Sequence, residues 1–128
     1  MLKQAKMLVS GFGMLFWLMV VLALTMLPGR GLIMHHIASF FGRSDLHGAI
    51  GHAGLMASLV IVLFIGLSIF IRAKYALLIA VILVLGVGTA TEFYPAGVAG
   101  RASTLIDLFG NWTGTFAAAY MISLFFNR

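Results

Sequence analysis

The chain has 128 residues, of which 62% are hydrophobic and only 9% charged, with a mean hydropathy of +1.14. A soluble domain of this size has too high a surface-to-volume ratio to hide so much apolar side chain, so the composition excludes a water-soluble fold and points to lipid as the solvent. Eight Lys and Arg against three Asp and Glu leave a formal charge of +5, without a single cysteine. The basic residues stand alone between apolar runs, which argues against a nucleic-acid partner, and no disulfide or thiolate site is available.

A spanning helix needs about 20 mostly apolar residues. The sequence therefore predicts an all-α, polytopic membrane protein of four transmembrane helices, one domain over residues 1–128, with helices at about 8–27, 50–71, 75–92 and 104–126. The first follows Lys3 and Lys6 as the core of a signal peptide would, yet it is long enough to span and no small-residue cleavage motif follows, so it reads as a retained helix. Pro28 and Gly29 end it. Residues 30–45 are apolar but too short to cross; they read as a short interfacial segment after the first helix, or as an irregular loop burying Phe40 and Phe41. Arg72, Ala73 and Lys74 leave room only for a tight hairpin between the second and third helices. Residues 92–103, with Pro95, Gly97 and Gly100, form a longer loop before the fourth.

The loop charges suggest an orientation. Lys3, Lys6, Arg72, Lys74 and Arg128 fall on one side, and Arg30, Arg43 and Arg101 on the other. Lys is confined to the first side, which the positive-inside rule makes cytoplasmic, with both termini. Alternating passes then bring Asp45, Glu92, Asp107, Arg101 and the histidines 35, 36, 47 and 52 towards the opposite face.

Depth decides which of these matter. Asp107 lies about 5 Å into its helix at 1.5 Å per residue, and Asn111 stands one turn deeper on the same face. A carboxylate inside hydrocarbon is costly and needs a partner; Arg101 can reach it from the loop. The plain structural reading of that pair is an ion pair pinning loop to helix. Glu92 reads equally as a solvated helix-end acid, Asn111 as a bridge between helices, and Gly110 with Gly114 as a helix-packing notch. His47 and His52 are five apart rather than the four of a helical two-histidine metal site. No metal site and no cofactor is expected.

The run from Thr91 to Gly114, with Glu92, Arg101, Asp107, Asn111 and Gly114 at their observed spacings, resembles the signature of VanZ-like membrane proteins, and His52 in Gly51-His52-Ala53-Gly54 resembles that family's helix-opening histidine. The pattern departs at Pro95, where the family often has Gln, and at Gly48, where it often has Asp. The resemblance covers the second to fourth helices and implies a protein of the bacterial cytoplasmic membrane, with a role like that of the family's namesake in low-level resistance to the glycopeptide teicoplanin.

Three functions suit these residues. In the first, Glu92, Arg101, Asp107, Asn111 and His52 form a non-enzymatic, outward-facing polar notch for a lipid head group or cell-envelope precursor, with Arg101 on the phosphate. The second is a small accessory subunit of a larger respiratory or photosynthetic membrane complex, whose partners are other membrane proteins. The third is an intramembrane acid–base enzyme using Glu92 or Asp107 with His52, although no nucleophile motif accompanies them.

Overall fold

Long apolar runs without proline satisfy every backbone polar group inside one segment, which is why lipid-facing sequence folds as helix. The computed structural model describes residues 1–26, 45–93 and 105–126, the side chains of Asp45 and His47 excepted. Its four helices are α1 (Leu2–Met26), α2 (Asp45–Leu67), α3 (Ala73–Phe93) and α4 (Leu105–Phe126), and all regular structure among the described residues is helical. The expected interfacial segment lies almost wholly outside the described residues. So does the loop with Pro95 and Arg101.

Each helix differs slightly from its sequence expectation. α1 begins six residues early because Lys3, Gln4 and Lys6 are good helix formers whose long side chains can reach water from a helical backbone. α2 starts at Asp45 and stops at Leu67, short of residue 71. There the chain turns: the amides of Phe70 and Ile71 donate to Leu67 O at 2.9 and 3.0 Å, and Ser68 Oγ donates to Phe64 O at 2.6 Å. The amides of Tyr75 and Ala76 then donate to Arg72 O, starting α3.

Three helices are long and apolar enough to cross a membrane: α1, α2 from Gly48 onward, and α3. α4 has the length, at 22 residues, but Asp107, Asn111 and a run of Thr and Gly make it less apolar. Large hydrophobic side chains stand exposed on all four helices, among them Phe12, Phe16, Ile65, Ile82, Phe116 and Phe125. Apolar surface continuous around a molecule is tolerated only where something apolar covers it. These are the features of a membrane protein.

The packing is up-and-down. Residues rising in number along α2 meet residues rising along α4, from Gly48 near Asp107 to Ala53 against Gly114, so these two helices run parallel. α3 runs against both, with Gly88 beside Met56 and Asn111. α1 runs against α2: Ser10 Oγ donates to Gly66 O and Trp17 Nε1 to Ser58 Oγ at 3.0 Å. The closest association is α2 with α4; α1 rests mainly on α2. The core is built on α2 by Met56, Leu59 and Val60, and on α3 by Ala76, Ala80 and Val84, all fully buried.

Small residues set how near the helices come. A Cβ added to Gly110 would stand 2.5 Å from the carbonyl oxygen of Ala49, and one added to Gly114 would meet the carbonyl oxygen of Ala53. Neither obstacle is a movable side-chain tip; both are backbone. Two glycines one turn apart thus let α4 lie directly on the α2 backbone, the small-xxx-small geometry of helix association in lipid. We expect Gly114→Ala to lower stability by ~1–3 kcal/mol through overpacking. Gly86→Ala, where an added Cβ meets nothing within 4 Å, should be neutral or slightly stabilising. Thermal unfolding of the two variants in one detergent checks the contrast.

Candidate functional site

Polar side chains inside a helical bundle must find partners on their own helix or across an interface. Several hydroxyls use the first route: Thr25 Oγ1 donates to Val21 O, Ser58 Oγ to Leu55 O and Thr115 Oγ1 to Asn111 O, each three or four residues back. Asn111, His52 and Glu92 use the second.

Asn111 stands six residues into α4, about 9 Å along its axis, and is 1% exposed. Gly110 and Gly114 on either side hold it close to α2, while its Cβ lies 3.1 Å from the position an added Gly88 Cβ would take on α3. Its Nδ2 donates to Gly88 O at 2.9 Å and lies 3.4 Å from Glu92 Oε1. Thr91 Oγ1 donates to the same Gly88 carbonyl at 3.1 Å. Asn111 Oδ1 is 3.1 Å from His52 Nδ1, and Glu92 Oε1 is 3.5 Å from that nitrogen.

These contacts settle the direction of the hydrogen bonds. A backbone carbonyl can only accept, so the Asn111 amide must turn its NH2 to Gly88 and its oxygen to His52. Asn111 Oδ1 facing His52 Nδ1 is then an acceptor, so Nδ1 carries the proton. His52 Nε2 has no hydrogen-bond partner among the described residues, and the His52 side chain is 21% exposed against 5% for Glu92. A carboxylate and an amide therefore hold the Nδ1 edge of the ring. Neutral, Nε2 accepts a hydrogen bond or proton; protonated, it donates.

Three of the residues singled out in the sequence thus come together from three helices at one end of the bundle. Asp107 lies one turn nearer that end, partly buried, with Oδ1 3.5 Å from where a Gly48 Cβ would stand. Arg101 lies outside the described residues, and so does its expected pairing with Asp107. Gly110 and Gly114 serve the α2–α4 contact. As potential metal ligands, His52 and Glu92 are joined by no third His, Asp or Glu among the described residues.

Sequence reasoning missed the Gly88 carbonyl, which orients the whole cluster. A signal existed: Ala76, Ala80, Val84, Gly88 and Glu92 recur every four residues and form the buried stripe of α3. It also missed the rim contact in which Trp112 Nε1 donates to Thr89 Oγ1 at 3.1 Å.

The fold and this cluster define a helical membrane protein with a partly open carboxylate–amide–histidine site near one end. No family model, curated protein or solved structure matches the chain.

Replacing Asn111 tests the hydrogen-bond assignment. Asn111→Asp sets a second carboxylate against Gly88 O and Glu92, and should cost at least ~1–3 kcal/mol at neutral pH. Acidification protonates the new side chain, restoring a donor towards Gly88 O, so the deficit relative to the parent should shrink as pH falls. Thermal unfolding of both proteins across pH 4–8 reads this out; a deficit independent of pH contradicts the assignment.

Proposed function

We propose that this is a VanZ-like protein of the bacterial cytoplasmic membrane that binds, without catalysis, the phosphate-bearing head group of a lipid or lipid-linked envelope precursor. α4 makes the fourth crossing in this reading, supported by its parallel packing along α2. Both termini are cytoplasmic, so that the end bearing His52, Glu92 and Asn111 faces outward. Lys3 and Lys6 at the start of α1 share the other end with Arg72 and Lys74 of the hairpin, as the positive-inside rule requires.

One observation carries the reading: a partly exposed His52 is held through Nδ1 by buried groups of two other helices, which leaves Nε2 for a ligand. Glu92 and Asn111 are too buried to meet a bulky head group themselves. They position the ring. Arg101, four residues before the start of α4, supplies the fixed positive charge in the family-like pattern, and its planar fork suits a phosphate. Asp107 would hold that guanidinium in place.

A second reading, a small subunit of a larger membrane complex, draws on α1. Only Val21 and Thr25 of its 25 residues are buried, so most of its surface is open to another membrane protein. Native mass spectrometry after mild solubilisation distinguishes the two, since a subunit brings stoichiometric partners with it.

Two experiments test the first reading. Because the chain has no cysteine, single cysteines report topology cleanly. Ala102→Cys should react with a membrane-impermeant maleimide in intact cells and Ala73→Cys only after permeabilisation; the reverse pattern rejects the orientation. A short-chain polyprenyl phosphate should bind the purified protein, and His52→Ala and Arg101→Ala should each weaken it about tenfold or more, the loss of one charge-assisted contact. Undiminished binding in both variants, with helicity and thermal stability retained, rejects the notch.

A further inference from the structure

At the end of the bundle opposite His52, α1 and α2 line an open cleft of about 590 Å³, inside the roughly 300–1,000 Å³ range of small-molecule sites. Its walls are apolar: Leu2, Val9 and Met14 on α1 face Val62 and Ile65 on α2 and Ile69 in the turn that follows it. Lys6 also lines it. Two glycines give it depth. Gly13 leaves open space where a side chain would stand, and Gly66 gives up its own side-chain volume to the sulfur of Met14. From Leu2 to Met14 the α1 wall runs about 18 Å along the helix axis.

The charge at this end is one-sided. Lys3, Lys6, Arg72 and Lys74 are all exposed there, whereas the three acidic residues of the chain begin α2 (Asp45), end α3 (Glu92) and occupy the first turn of α4 (Asp107). The protein thus supplies no acidic side chain to pair with Lys6. An anionic head group there would complement the basic cluster, and the apolar walls beside Lys6 suit hydrocarbon.

We propose that the α1–α2 cleft is a binding site for one phospholipid with an anionic head group, its acyl chain lying between Val9 and Ile65 and its phosphate paired with Lys6. The site is independent of the His52 cluster in residues, in end of the molecule and in the side of the membrane it serves. Lys6 recognises the phosphate as a point charge on a flexible stem, so it selects for net negative charge rather than for head-group shape. Lipid in the cleft would also tie α1 to α2 beyond the hydrogen bonds from Ser10 and Trp17.

Native mass spectrometry tests this. Protein in mild detergent is challenged with an equimolar mixture of phosphatidylglycerol and phosphatidylethanolamine of the same acyl composition. The wild type should retain one phosphatidylglycerol in roughly fivefold preference, the worth of one basic contact to an anionic lipid. Lys6→Gln should bring the two lipids to parity. Gly13→Leu, which fills the cleft from a position where an added Cβ meets nothing within 4 Å, should release both without loss of helicity. Equal retention of the two lipids by the wild type overturns the head-group assignment, and wild-type retention by Gly13→Leu overturns the cleft. Prenyl phosphate binding at the opposite end should be unchanged in both variants, so the failure of either site is read separately.

Discussion

The contact of α4 with the α2 backbone, through Gly110 and Gly114 on the Ala49 and Ala53 carbonyls, is the constraint on which the rest of the structure depends. Lipid gives helices little hydrophobic reason to associate, so close packing and buried hydrogen bonds must hold them. Two missing side chains allow backbone-to-backbone approach, and that approach brings Asn111 within reach of His52. Moving α4 outward by the width of a methyl group would stretch the 3.1 Å contact to His52 beyond hydrogen-bond range. The packing notch and the polar cluster are therefore one device.

The cluster is built in layers of decreasing freedom. Gly88 O can only accept and is fixed in a helix; it orients the Asn111 amide, and the amide with Glu92 orients the imidazole. Only the last member reaches the surface. Polar groups in a medium of low dielectric are strong when paired and costly when not, so such a chain of fixed partners gives a single arrangement of the ring. A site that must offer one nitrogen to a ligand in the same place each time is well served by that rigidity.

Much of this was legible in the sequence. Alternating passes alone put Glu92, Asp107, Asn111 and His52 at one end, because connectivity and helix length leave no other solution. The apolar runs located the helices, but their ends escaped the pattern where Lys3 and Lys6 continue a helix that hydropathy would have begun later. Gly88 escaped for a different reason: its contribution is a main-chain carbonyl, and a side-chain reading of glycine sees only an absence. The α1–α2 cleft was equally hidden, since it is lined by residues of two helices rather than by any one run of sequence. The partnership of Arg101 with Asp107 stays a matter of spacing.

The order in which the three partners occur in the chain bears on biogenesis. Synthesis proceeds from the N-terminus, so His52 and Glu92 leave the ribosome ahead of Asn111. A nascent bundle of three helices holds a carboxylate and an imidazole whose amide bridge is missing, and the glycines that draw the helices together arrive only with α4. Closure of the bundle is thereby deferred until α4 is added. A chain truncated before residue 105 would present the quality-control machinery of the membrane with an unfinished polar seam.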